Sequence, residues 1–120
     1  MRILLADGRS KVRYALRVLL EGQQGLEVVA EAVNAEDLIV KVRESCPDVV
    51  LIDWDLPGLN RTRTLENLRK DHPGIRVIAM SGRPEAGQAA LDAGVDSFIH
   101  KTSPPDLLLA VINKWEQVSK

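Results

Sequence analysis

Asp48-Val49-Val50-Leu51-Ile52-Asp53-Trp54-Asp55-Leu56-Pro57-Gly58 is the stretch on which the fold turns. Four consecutive apolar residues, with no polar alternation, are what a strand needs when both faces of its sheet are covered. The run stops on an acid and is closed by a Pro-Gly turn. An acid at the end of a dry strand needs a partner, so Asp53 is hard to read as a merely solvated charge.

Runs of the same kind recur on either side, at Ile3 to Ala6, Val28 to Ala32, Val77 to Met80 and Ser97 to Ile99. Helical patterns fill the intervals between them. Ser10 is the expected N-cap of the first helix, with Val12, Ala15, Leu16 and Leu19 as its apolar face. Asn34, followed by Glu36 and Asp37, opens the second, whose Leu38, Ile39 and Val42 run toward the stop at Pro47. A weaker third pattern covers Thr62 to Lys70. The fourth runs from Glu85 to Ala93, where Gly94 supplies the left-handed residue that ends it. Ser103-Pro104-Pro105-Asp106 marks the start of the fifth, and Leu107, Leu108, Val111, Ile112 and Trp115 form its stripe. Five strands, each followed by a helix, give an α/β order: a doubly wound parallel sheet covered on both faces.

Composition agrees with one such domain. The chain has 120 residues, 45% hydrophobic and 28% charged, enough for a single core and too few for two. Sixteen basic against seventeen acidic residues leave a net charge of -1, so no global field attracts nucleic acid or an anionic membrane. There is no long apolar run or leader, and the expected setting is cytoplasmic. The single Cys46, before Pro47, is expected to be a small packing residue. His72 and His100 have no ligand spacing to another His or Cys and are read as structural.

Ligands of open parallel sheets collect at the carboxyl ends of the strands. Asp7, Asp53, Ser81 and Lys101 fall there, after the first, third, fourth and fifth runs. Singly, Asp7 could be a loop acid or a cap, Ser81 a turn residue and Lys101 a solvated charge. Together they place two carboxylates, a hydroxyl and an ammonium on one edge.

These segments resemble the receiver domains of two-component response regulators over essentially the whole chain. The segment from Asp48 to Gly58 is similar to the phosphoacceptor strand and its turn. Val77-Ile78-Ala79-Met80-Ser81-Gly82 resembles the strand bearing a switch hydroxyl, and Ala93 to Lys101 the fifth strand with an aromatic switch, Phe98, and the lysine. The style is closest to CheY-like receivers of NarL/FixJ-type regulators, which precede a LuxR-type helix-turn-helix. The resemblance implies a flavodoxin-like (βα)5 sandwich of strand order 2-1-3-4-5. It implies that Asp53 accepts a phosphoryl group from a sensor histidine kinase, with Lys101 and Ser81 pairing its charge. Magnesium would be held by Asp7, Asp53 and the backbone carbonyl of Asp55. Phe98 would pack inward as Ser81 moves, altering the surface of the fourth helix, fifth strand and fifth helix to control an output, most plainly transcription. Such a domain is not an enzyme on an external substrate, although it can dephosphorylate itself. A homodimer is compatible with it; direct nucleic-acid or membrane contact is not implied. The expectation is a receiver over residues 1–120, with any output domain outside this chain.

Three departures qualify the resemblance. The family usually carries two adjacent acids after the first strand; here Asp7 is followed by Gly8, so weak magnesium binding is expected. Asp55 and Arg83, two residues after the acceptor and the hydroxyl, are expected to pair across the pocket and modulate access to Asp53. Thr102 replaces a proline after Lys101, and a trans bond is expected there, the cis form costing about 2.5–4 kcal/mol. Trp54 is expected to pack in the core or cover the loop. Gly8 also supports a second reading, a pseudo-receiver acting as a phosphorylation-independent interaction module. A flavodoxin-like enzyme or nucleotide binder would need a Gly-rich phosphate loop after the first strand, which Gly8 alone does not make.

Overall fold

The computed structural model describes residues 1–118. Strands β1 (Arg2–Ala6), β2 (Glu27–Ala32), β3 (Val49–Asp53), β4 (Arg76–Ser81) and β5 (Ser97–His100) alternate with helices α1 (Ser10–Glu21), α2 (Ala35–Ser45), α3 (Arg61–Asp71), α4 (Ala86–Ala93) and α5 (Pro105–Val118). All four pairings are parallel, in the order β2-β1-β3-β4-β5. This is the flavodoxin-like sandwich. The order reverses between β1 and β3, so the crevice at their carboxyl ends is where polar side chains can gather.

The unalternating strands are explained by two apolar layers. Leu4, Ala6, Val50, Ile52, Val77 and Ala79 face α2, α3 and α4, whose Leu38, Val42, Leu65, Leu68 and Ala90 close over them. Ile3, Leu5, Val49, Leu51 and Ile78 face α1 and α5, covered by Leu20, Leu108 and Ile112. Trimming one such buried Leu or Ile to Ala costs about 2–5 kcal/mol, against about 0–1 for an exposed ion pair, so the layers hold the fold.

Several local expectations are corrected. Ser10 is the first residue of α1 and Arg9 is its N-cap, making no side-chain cap bond; the Asp7 carboxylate instead accepts the Arg9 N–H at 2.8 Å. On α1 the fully buried residue is Leu20, while Ala15 is exposed and Val12, Leu16 and Leu19 are half-buried. Leu107 is exposed, leaving Leu108 and Ile112 as the core of the α5 stripe. Cys46 is not a packing residue: it is exposed and ends α2 in the left-handed conformation at φ 46°. Pro47 denies α2 a further turn, and residue 46 takes that conformation at the break. Asn34 caps α2 as expected, accepting from Asp37 N–H at 2.8 Å, and Gly94 ends α4 at φ 107°. There is no cis peptide bond among the described residues, as expected at Thr102.

One polar cluster ties α1 to β2. Glu31 accepts from Arg13 Nε at 3.0 Å and from Arg17 through Nε and Nη2. Burial alone would raise the Glu31 carboxyl, but the Arg17 and Arg13 hydrogen bonds and charges outweigh it and hold it below its ordinary value. The Arg17 guanidinium is raised, first by its hydrogen bond to Glu31. A carboxyl lowered on folding stabilises fully above its unfolded value of about 4.3, and loses that contribution as pH falls through the folded one. Glu31→Gln should therefore cost about 1 kcal/mol at pH 7, seen as a lower midpoint of thermal unfolding. The difference from the parent chain should shrink at pH 3; a pH-independent difference would refute the ionic origin.

Candidate functional site

Asp7 lies just after β1, Asp53 ends β3, Ser81 ends β4 and Lys101 follows β5. Parallel register brings these ends to one rim: Leu51 lies beside Leu5 and Ile78, and Met80 beside Asp53 and Ile99. Lys101 N–H donates to Ser81 O at 2.9 Å, and Trp54 N–H to Met80 O at 2.8 Å, fixing the loops that leave the sheet. Asp7 and Asp53 are 4% and 9% exposed, and Ser81 is fully buried. Lys101 Nζ sits between the acids, 3.4 Å from Asp7 Oδ2 and 3.3 Å from Asp53 Oδ1. Two nearly dry carboxylates this close require a cation between them, and the lysine supplies it.

Asp53 Oδ1 also accepts the Asp55 N–H at 3.0 Å, whereas Oδ2 has no partner among the described contacts. Ser81 Oγ accepts the Arg83 N–H at 3.1 Å and faces Asp55 Oδ2 at 3.4 Å. A cavity of about 510 Å³ opens above these groups, lined by Gly8, Arg9, Asp53, Asp55, Pro57, Gly82, Arg83 and Lys101. Five of its lining residues are charged, and it is open to solvent, with room for a phosphoryl group.

The pairing of Asp55 with Arg83 is present, at 2.5 Å, with both side chains about half exposed. A second guanidinium joins it from the start of α3, Arg61 Nη2 at 3.2 Å from the same oxygen. Arg61 also donates to the Trp54 carbonyl at 2.9 Å and lies 5.3 Å over the Trp54 ring. That ring is buried in the α2/α3/α4 layer, so packing is its role. Phe98 is half-buried on the same layer, against the backbone of α4: a Cβ at Gly87 would stand 3.2 Å from the ring. His100 accepts through Nδ1 from Thr102 N–H at 3.2 Å.

Two site cations, Arg9 and Arg61, were not anticipated from the sequence. Arg9 lines the cavity with Nε 3.6 Å from Asp7 Oδ1. The expected pocket of Asp7, Asp53 and Lys101 alone carries a formal -1. The observed one sets three carboxylates against the four cations Arg9, Arg61, Arg83 and Lys101. Residues 3–113 match the sequence profile of the response regulator receiver domain. The chain belongs to that family. As a receiver domain it is 37% identical over 117 residues to the transcriptional activator protein ExaE of Pseudomonas putida, covering 95% of this chain and 54% of that protein. A LuxR-family two-component response regulator from an Aurantimonas species superposes with TM-score 0.85 at 30% identity, over 94% of this chain and 82% of the other. A LuxR-family DNA-binding response regulator from Staphylococcus aureus gives 0.82 at 28%, over 94% and 96%. The receiver domain spans about half the length of the curated relatives it matches.

Receiver domains generally bind Mg2+ at the acidic pocket. Here the donor set fits that ion poorly. No group of three His, Cys, Asp or Glu side chains able to hold a metal occurs among the described residues. Asp7 is engaged on one oxygen by Arg9 and on the other by Lys101. Gly8 leaves the second acid position without a ligand. No described helix of the receiver domain is long and apolar enough to cross a membrane.

Proposed function

We propose that this receiver domain takes a phosphoryl group from a sensor histidine kinase onto Asp53 Oδ2 and relays the change to an output, transcription in the reading that its relatives' names favour. The observation that carries this is the convergence of Asp7, Asp53, Ser81 and Lys101 on one rim of the sheet, where Asp53 and Lys101 line the cavity and Asp53 is nearly dry with its second oxygen uncommitted. Oδ2 forms the new bond to phosphorus as the bond to the donor breaks. The electron pair leaves with the donor's imidazole nitrogen, which takes up a proton. Lys101 offers a point charge to one phosphoryl oxygen and Ser81 a hydroxyl to another, provided Ser81 releases Asp55. That release frees space beside β4, which the Phe98 ring on β5 can enter, coupling the acceptor to the α4–β5–α5 surface. The acceptor is the protein's own side chain, so there is no turnover of an external substrate, only loss of the phosphoryl group to water. Magnesium binding is weak, the setting cytoplasmic, and a homodimer is compatible with the exposed helical faces. An output domain, where one follows, lies outside residues 1–120.

Incubation with acetyl phosphate and Mg2+, read by intact mass, tests the reading: one added phosphate is expected. No adduct on a folded chain would favour the second reading that Gly8 supports, a phosphorylation-independent interaction module. The Asp55–Arg83 pair lines the cavity beside Asp53 and would hinder the approach of water, so Arg83→Ala should speed loss of the phosphoryl group. Arg61 remains on Asp55, and an exposed pair is worth about 0–1 kcal/mol, so the gain is about fivefold at most. An unchanged lifetime of the adduct would remove the covering role.

A further inference from the structure

The two cations unaccounted for by the pocket's chemistry are Arg9 and Arg61; Arg61 is held on Asp55 and the Trp54 carbonyl, and of the two only Arg9 lines the cavity with Asp53. Arg9 N–H and Nε both address Asp7 Oδ1, at 2.8 and 3.6 Å. Its side chain is 61% exposed and lines the cavity with Asp53, Lys101 and Arg83. A divalent ion bound to Asp7 would have to displace this guanidinium and then sit among cations, which Coulomb repulsion disfavours. A phosphoryl group brings negative charge into the same space and meets charges already in place. The guanidinium fork matches two phosphoryl oxygens at once, and its long stem lets it turn from Asp7 toward them.

We propose that Arg9 stands in for the divalent cation, so that phosphoryl transfer to Asp53 proceeds without metal. The inference rests on Asp53 being the acceptor. An arginine supplied within the chain stabilises the charge on the transferring group as it does in other phosphoryl transfers. Gly8 is the companion change: it removes the carboxylate that would hold a metal and leaves the cavity floor open. With acetyl phosphate as donor, Asp53 Oδ2 bonds to phosphorus while the phosphorus–oxygen bond to the acetyl group breaks, and acetate departs with the electron pair.

The test is acetyl phosphate in Mg2+ or in EDTA, with the adduct followed by intact mass. The parent chain should form it at similar rates in both. Arg9→Ala should slow the reaction in EDTA by about tenfold or more, and Arg9→Lys by less, since it keeps the charge and loses the fork. Arg9 makes no side-chain cap bond, so α1 survives its loss. Gly8→Asp is the converse: an ideal Cβ there meets nothing closer than Val33 O at 3.4 Å, and a restored acid pair should bind Mg2+ about tenfold more tightly by calorimetry. An adduct that forms only with Mg2+, or an Arg9→Ala rate equal to the parent's in EDTA, overturns the inference and leaves Asp53 as acceptor. No adduct under either condition overturns the acceptor reading and the inference with it.

Discussion

An Asp53→Asn chain is expected to take up no phosphate from acetyl phosphate under conditions in which the parent gains one. The amide keeps the shape of the carboxylate and can still accept from Asp55 N–H, now held at 3.0 Å by Oδ1. It lacks the negative oxygen that must bond to phosphorus, so the loss is complete rather than partial. Asp7 is the other carboxylate on Lys101, and it is committed through both oxygens, to Arg9 and to Lys101. An adduct on Asp53→Asn of the same stoichiometry as the parent's would move the acceptor elsewhere. Circular dichroism of the variant guards against a trivial loss through unfolding.

Lys101→Ala should be nearly as severe, slowing adduct formation about 10²–10³-fold, the size of effect seen when one preorganised charge donor is removed from a developing oxyanion. Its ammonium is the single cation within 3.4 Å of both Asp7 and Asp53 among the described residues. Truncation also leaves two nearly dry carboxylates facing each other, which costs about 3–5 kcal/mol where a buried charge loses its partner. Asp7→Asn in the same chain should relieve that cost without restoring the rate, separating stability from chemistry. Lys101→Arg keeps the charge but replaces a compact ammonium with a planar fork, and should recover stability more than rate. A Lys101→Ala chain that phosphorylates at the parent's rate would exclude the ammonium from the reaction.

How much of this was legible in the letters depends on the reach of each interaction. The strands were, because a run such as Val49 to Ile52 has one physical use, burial on both faces. The strand-end residues Asp7, Asp53, Ser81 and Lys101 were legible too, since a parallel sheet carries residues distant in sequence to one edge. Helix faces were read less well. Leu20 was missed because the face of α1 that packs on the sheet runs through Leu16, Leu19 and Leu20, while Ala15, one position round the helix, is exposed. Cys46 looked like a buried thiol by type, and the break before Pro47 turned it outward.

Long flexible cations were the least readable. Arg83 was paired with Asp55 only through resemblance to a family, because no spacing rule joins residues 55 and 83. Arg9 and Arg61 gave no periodic signal at all. Their targets are defined by where three loops converge, and each reaches its carboxylate with a stem that could equally have pointed to solvent. Arg9 follows Asp7 by two residues, and that proximity, next to the missing acid at Gly8, was the one local hint.

The bare α carbon at Gly87 leaves the Phe98 ring a seat that a methyl would occupy. Because the ring is only half-buried, it has somewhere else to go. Adding that methyl would crowd the aromatic group, forcing it to give by a few tenths of an ångström on a face remote from position 53. So small a trespass bears on the seating of one ring alone, which makes residue 87 a handle on the aromatic side chain that does not reach the carboxylates.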